Sequence, residues 1–199
     1  MSIKLNQKDL NKLLKKNNIE KEQIKKPKRT NVDRLSDAID LLTCYDNEDR
    51  ISFNKDFSKC LIEITNITLL SNNDSLRLGA RKMLKYKKLW HERIQKIINK
   101  DILNKWKASK EEKIVIEFLY EVSTNHFMDY DGRMGAFKAP LDGLIEAKLI
   151  HDDKEEFVPV IFGRQRVSKN KIQNLKIILS VEKEPDRFYS KDFLDMIYN

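Results

Sequence analysis

Apolar residues recur at intervals of three and four between positions 83 and 98, and this spacing predicts an amphipathic α-helix. One face of that helix carries an apolar stripe, whereas its other faces are rich in lysine and arginine. The stripe comprises Met83, Tyr86, Leu89, Trp90, Ile94, Ile97 and Ile98. A shorter stretch, 33–42, has Leu35, Ile39 and Leu42 at similar intervals and predicts a second helix.

Other segments have the composition of β-strands, because they combine β-branched residues, alternating faces and flanking turn residues. The predicted strands are 60–70, 112–122, 157–167 and 172–181, and the last two are expected to pair around a turn at 168–171. A helix is expected over 137–149, with Pro140 in its first turn. The order of these elements predicts an α/β fold in which a small mixed β-sheet packs with two main helices.

Breaks in these patterns mark the expected domain boundaries. A proline within a run of lysines and arginines at 25–29 interrupts the helical spacing, so we interpret 1–56 as a basic N-terminal arm, mobile or partly helical. Residues 57–185 form the expected domain, and 186–199 a tail or short helix capped by Ser190. The apolar runs are far shorter than the roughly 18 residues that cross a bilayer, and no secretory signal is visible. We therefore expect a cytoplasmic protein with no membrane contact.

The formal net charge of +8 is typical of proteins that act on polyanions such as DNA. Residues 1–30 hold ten basic residues against three acidic ones, a balance of +7, and residues 77–113 hold thirteen against four, a balance of +9. Residues 114–163 hold four against ten, a balance of −6. We expect the basic regions to contact DNA phosphates beside this acidic stretch. The predicted DNA-binding residues are Arg81, Lys82, Lys85, Lys88, Arg164 and Arg166.

The acidic stretch contains the candidate chemistry. Its residues are the carboxylates Asp129, Asp131, Asp142, Asp152 and Asp153 and the amine Lys138. The first two follow the predicted strand 112–122, and residues two apart in extended backbone point the same way. Lys138 and Asp142 lie one helical turn apart. The last two aspartates precede the next strand, so we expect them to return to the same end of the sheet as the first two.

Several carboxylate oxygens at one point favour a hard divalent cation such as Mg²⁺, with Mn²⁺ as a substitute, and no organic cofactor is expected. Such an ion polarises a phosphodiester and positions a water, while Lys138 neutralises the negative charge of the transition state. Taken singly, each acidic motif is more often a solvated turn than a site. The spacing excludes an EF-hand, because Pro140 stands where its terminal Glu would be.

This pattern of D-x-D, then a lysine and a further aspartate on a short helix, then D-D ahead of a strand resembles the RusA family of Holliday junction resolvases. The similarity extends over roughly 57–183. It implies a small homodimeric endonuclease that depends on Mg²⁺ and cuts paired strands at four-way DNA junctions. It also implies that Asp129, Asp131 and Asp153 bind the metal, supported by Asp152 and Asp142, and that Lys138 is the catalytic lysine.

Two features depart from the family pattern. The family usually has Asn directly after the second aspartate, where this chain has Gly132, and the interval from Asp131 to Lys138 is longer than in the shortest members. A non-catalytic, basic DNA-binding protein with a degenerate metal site is therefore the alternative. An RNA-directed nuclease would share the same site. The approximate two-fold symmetry of a four-way junction independently favours a homodimer with two active sites.

Overall fold

The computed structural model describes residues 31–43, 48–98, 100–106, 112–125 and 127–182. The chain divides into two units, Met1–Arg34 and Leu35–Asn199, and nearly all of the described residues belong to the second. Most of the predicted basic arm, 1–30, lies outside the described residues. The predicted tail, 186–199, also lies outside them.

The described part of the chain contains helices and strands in an interleaved order. The helices are α1 (Asn31–Thr43), α2 (Asn72–Leu78), α3 (Ala80–Ile97), α4 (Lys100–Lys105) and α5 (Tyr130–Glu146). The strands are β1 (Arg50–Phe53), β2 (Lys59–Ile64), β3 (Lys113–Val122), β4 (Val160–Val167) and β5 (Asn174–Glu182). None of the described helices combines the length and apolar character needed to span a bilayer.

The five strands form one mixed sheet in the order β1-β2-β5-β3-β4. All neighbours are antiparallel except β3 and β4, which are parallel and are joined through α5. The helices α3 and α5 pack together, and their apolar faces join the buried face of the sheet in one core. The predicted α/β fold with a small mixed sheet is therefore confirmed, and so is the long amphipathic helix.

The expected pairing of the last two strands is wrong, because β3 lies between β4 and β5. β3 is suited to a central position, since Ile116, Phe118 and Tyr120 are all buried on it. The chain passes from β4 to β5 beyond the carboxyl end of β3, where the Ser168 N–H donates to the Val122 carbonyl at 2.8 Å. Residues 168–171 do connect β4 to β5, but these two strands are not neighbours in the sheet.

The first predicted strand ends earlier than expected, at Ile64. The next backbone N–H, on Thr65, donates to the Asp49 carboxylate at 2.9 Å instead of extending the sheet. Sequence analysis also missed β1, which pairs with β2. Because β1 lies before residue 57 and Leu42 of α1 is fully buried, the compact unit begins earlier than the expected boundary.

The polar residues 71–74, whose composition predicts a turn after the first predicted strand, are the start of a helix. Ser71 caps α2: its hydroxyl accepts from the Asp74 N–H at 3.2 Å, and the Asp74 carboxylate accepts from the Ser71 N–H at 3.2 Å. This reciprocal pair satisfies two backbone donors that the first turn of a helix would otherwise leave without partners. Serine followed three residues later by an acidic residue is thus a helix start here.

A buried arginine joins four parts of the fold. Arg93 of α3 is 0% exposed, and its guanidinium donates to both oxygens of Asp49, at 2.6 Å and 3.0 Å. It also donates to the Leu41 carbonyl of α1 at 3.1 Å and to the Thr65 carbonyl at the end of β2, at 2.5 Å. A planar guanidinium suits this bidentate arrangement. The helical pattern predicts Arg93 off the apolar stripe, among the exposed basic residues of α3, and its burial corrects that prediction.

Replacing Arg93 with methionine should lower the free energy of unfolding by roughly 3–5 kcal/mol, because the Asp49 carboxylate would stay buried without its partner. Lys88→Met on the same helix is the control. The Lys88 side chain is 78% exposed, so its loss should change stability by less than about 0.5 kcal/mol. Urea denaturation measures both variants. Equal effects of the two substitutions would show that the buried pair does not stabilise the fold.

Candidate functional site

The helix that carries the candidate residues begins seven residues earlier than expected, at Tyr130. Asp129 is its N-cap, with φ −61° and ψ 172°, and its carboxylate accepts from the Gly132 N–H at 2.8 Å. Asp131 therefore lies in the first helical turn and not in extended backbone, so the expected common direction of the two carboxylates does not follow. Pro140 lies in the helix interior instead of the first turn, and the helix lacks one backbone hydrogen bond there.

Gly132 lies close to the capping carboxylate. A Cβ at this position would lie 2.5 Å from Asp129 Oδ1, which is closer than non-bonded atoms approach. A larger side chain here would require the Asp129 carboxylate to move. The third helical residue thus leaves room for the carboxylate that caps the helix.

The ring of Phe137 anchors α5 on the sheet. Phe137 stacks on Phe118 of β3, with 4.6 Å between ring centroids and 7° between planes. It also lies over Gly163 of β4, where a Cβ would come within 2.6 Å of the Phe137 ring. A side chain at Gly163 would force the helix away from the sheet. The next residue, Lys138, is exposed on the outer side of α5.

Lys138 binds two carboxylates that are distant from one another in sequence. Its ammonium group forms an ion pair with Asp153, in the connection before β4, and another with Asp142, one turn along α5, at 3.1 Å. The other oxygen of Asp142 pairs with Lys87 of α3 at 2.9 Å. Two lysines and two aspartates therefore form a network where α3 meets α5, and we refer to these four residues as the lysine–aspartate cluster.

The ionisation of the lysine–aspartate cluster follows from its contacts. Partial burial lowers the pKa of Lys138, but the hydrogen bonds to Asp153 and Asp142 outweigh it and hold the pKa above 10.5. Partial burial also raises the pKa of Asp142, and the hydrogen bonds from Lys87 and Lys138 outweigh that effect, so its pKa lies below 3.8. Both groups are charged at neutral pH. Sequence analysis missed Lys87, because nothing distinguishes it from the other lysines of α3.

The two aspartate pairs do not come to the same end of the sheet, and that expectation is wrong. β3 and β4 are parallel, so the residues that follow β3 and those that precede β4 lie toward opposite ends. Lys138, which contacts Asp153, is nine residues beyond Asp129, or about 14 Å along the helix axis. Asp152 pairs with Lys154 at 2.9 Å and accepts from the Asp153 N–H at 2.8 Å.

Within the described residues, no group of three or more carboxylate, imidazole or thiol side chains meets in a geometry that holds a metal ion. The predicted set of four ligands is therefore not assembled. The donor chemistry of Asp129 and Asp131 still fits Mg²⁺, since both are exposed oxygen donors at one helix end. Proteins often bind this ion through one or two carboxylates together with substrate phosphates. The cap uses only one of the lone-pair directions of Asp129.

The predicted DNA-binding residues lie at the surface. Arg81, Lys82, Lys85 and Lys88 are exposed on α3, and Arg164 and Arg166 are exposed on the edge strand β4. The two arginines of β4 pair with acidic residues of β3, Arg164 with Glu117 at 3.2 Å and Arg166 with Glu121 at 3.0 Å. Lys88 pairs with Glu92 of its own helix at 3.6 Å. Arg81, Lys82 and Lys85 are thus better placed than the arginines of β4 to contact phosphates.

The capping role of Asp129 can be separated from its charge. Asp129→Ala should lower the free energy of unfolding by about 1 kcal/mol, because the Gly132 N–H loses its acceptor. Asp129→Asn keeps an acceptor at the N-cap, so its stability should stay within about 0.5 kcal/mol of the wild type. Urea denaturation at neutral pH provides the comparison. If the alanine variant were as stable as the asparagine variant, the capping hydrogen bond would make no contribution to the free energy of unfolding.

The ionisation of Asp142 predicts a pH dependence of stability. The pKa of Asp142 is lower in the folded state than in the unfolded state. Its contribution to the free energy of unfolding is therefore complete above the unfolded pKa, near 3.8, and is lost as the pH falls through the lower folded pKa. Asp142→Asn should cost about 1 kcal/mol at pH 7, a modest effect because the pairs are partly exposed. The difference in free energy of unfolding between this variant and the wild type should shrink below about pH 4. A difference that stays constant from pH 7 to pH 2 would contradict this assignment.

No protein-family model matches the chain, and no curated protein matches it either. The candidate site comprises a capped helix end with two exposed carboxylates, an ion-paired lysine on the same helix, and a basic helix packed beside it.

Proposed function

We propose that the protein is a Mg²⁺-dependent endonuclease of the RusA type that hydrolyses phosphodiester bonds at four-way DNA junctions in the cytoplasm. The observation that carries the proposal is the ion pair between Lys138 and Asp153. These residues are fifteen apart in the chain, and the resemblance assigns both of them to catalysis. Their direct contact is what a shared site would require.

Each residue has a distinct role in this proposal. Asp129 and Asp131 would hold the ion, which polarises the scissile phosphodiester and activates a water when bound. Lys138 lies about 14 Å along the helix axis from Asp129, so it would contact another phosphate of the same DNA and position the strand. Asp153 and Asp142 orient the lysine, and Lys87 neutralises Asp142 from the neighbouring helix.

The surroundings of the site favour DNA as the substrate. The exposed basic residues of α3 lie on the helix that packs against α5, and Lys87 of α3 reaches Asp142 of α5 directly. Phosphate contacts from such a helix give affinity without base specificity, and that affinity weakens as salt rises. A homodimer would present two such sites to the two halves of a junction.

A non-catalytic DNA-binding protein is the second candidate, and one observation favours it. Across the described residues the acidic side chains do not assemble in threes, and Asp152 and Asp153 are ion-paired to lysines. In that case the carboxylates would stabilise α5 and its contact with α3, and the basic surface alone would act on DNA. The two candidates differ in whether the DNA is cleaved when a divalent ion is added.

Incubation of the protein with Mg²⁺ and a synthetic four-way junction should produce paired cuts in opposing strands. Asp129→Asn should slow cleavage by about 100-fold or more, because it removes a carboxylate that would hold the ion. Lys138→Met should weaken junction binding by about tenfold, because it removes a charged contact to a phosphate. Glu146→Gln is the matched control, an exposed carboxylate at the far end of the same helix, and it should cleave within about twofold of the wild type.

Gel analysis of labelled junction strands gives the cleavage rates. A wild-type protein that binds the junction but never cuts it would support the non-catalytic candidate. Cutting that survives the Asp129 substitution would place the chemistry elsewhere in the protein.

A further inference from the structure

We propose that Phe127 and Tyr130 form a stacking platform for an unpaired nucleobase directly beside the acidic end of α5. This inference rests on the proposed function and narrows its substrate. The site would prefer DNA in which a nucleotide next to the scissile phosphate is unstacked, as at a junction centre, a flap or a bulge, over fully paired duplex.

The first observation is that two aromatic side chains are exposed to solvent. Among the described residues, Phe127 and Tyr130 are the two large aromatic side chains that are more than half exposed, at 52% and 64%. They flank Asp129 within four positions of the chain. Single exposed apolar residues are common on protein surfaces, whereas two exposed aromatic rings that flank a candidate site residue offer apolar area to a ligand.

The second observation is that the backbone between the two rings is held on both sides. The Met128 N–H donates to Gln165 Oε1 of β4 at 3.0 Å, and Asp129 caps α5 through Gly132. The Met128 side chain also packs partly against the core. The rings therefore project from an ordered connection, so little conformational entropy is lost when a ligand stacks on them.

The third observation is the chemistry around Tyr130. The Arg133 guanidinium lies over its ring, 5.4 Å from the centroid, and Arg133 Nε is enclosed without a hydrogen-bond partner. Gln165 Nε2 is likewise enclosed and unpartnered. An aromatic ring with a neighbouring guanidinium matches a nucleotide, whose base presents a π-face and whose phosphate carries negative charge.

The preference for unpaired DNA follows from which faces of a base a protein ring can reach. In a paired duplex both faces of each base are covered by neighbouring bases, so an outside ring can stack only where one base has separated from its neighbour. Asp129 and Asp131 lie on either side of Tyr130 in the chain. A base held on this platform would bring its own phosphate to the carboxylates.

The test uses a DNA oligonucleotide with 2-aminopurine at an unpaired position, because the fluorescence of this base changes when it stacks. Binding is measured with the full-length protein in EDTA, so that no cleavage occurs. Tyr130→Ala should weaken binding by about five- to a hundredfold, the range expected for the loss of one base stack. Binding to a fully paired duplex of the same length should change by less than about twofold.

Two further variants distinguish stacking from general apolar contact. Tyr130→Phe keeps the ring and should bind the unpaired base within about twofold of the wild type, whereas Tyr130→Leu should bind as weakly as Tyr130→Ala. Leu84→Ala removes an exposed apolar side chain from α3 and should have no effect.

The proposal would be overturned by equal losses for unpaired and paired DNA, by a leucine variant that binds like the wild type, or by no fluorescence change in the wild type. The stacking platform and the nuclease activity are tested separately. Base stacking with no cleavage in Mg²⁺ would support the platform and contradict the nuclease activity. Cleavage that is unchanged in Tyr130→Ala would overturn the platform alone.

Discussion

The packing of Phe137 against the sheet positions α5 and the candidate residues that this helix carries. This ring stacks on Phe118 and covers Gly163, so it joins the helix to the two parallel strands at one point. With the ring fixed, the rotation of α5 about its axis is fixed too. Lys138 then faces the connection that carries Asp153, and Asp142 faces α3 and receives Lys87.

The same packing explains why the acidic residues fall into two groups. A helix that crosses between parallel strands runs back along the sheet, so its first residues and the residues after its end lie far apart. Asp129 and Asp131 are at one end of α5, whereas Asp153 meets the helix near its middle. In our account the first group binds the ion at the scissile phosphate, and the second group, through Lys138, contacts another phosphate of the same DNA.

Sequence patterns predicted the long helix α3, the strand β3 and the α/β class, because apolar periodicity reports directly on burial. They failed where a contact between distant segments decides the outcome. The strand pairing around 168–171 depends on β3 inserting between β4 and β5, which no local signal shows. The burial of Arg93 depends on Asp49, Leu41 and Thr65. For the candidate site, the residue types were visible in the sequence, whereas the early start of α5 and the contact with Lys87 were not.

The central claim is that a divalent ion binds at the Asp129–Asp131 end of α5, and paramagnetic broadening tests it most directly. Addition of Mn²⁺ to ¹⁵N-labelled protein should broaden the amide signals of 129–133 first and leave those near Glu146 sharp. Asp129→Asn should abolish this local effect while the helix stays folded. Uniform broadening across the protein, or broadening that begins at another acidic surface, would contradict the account.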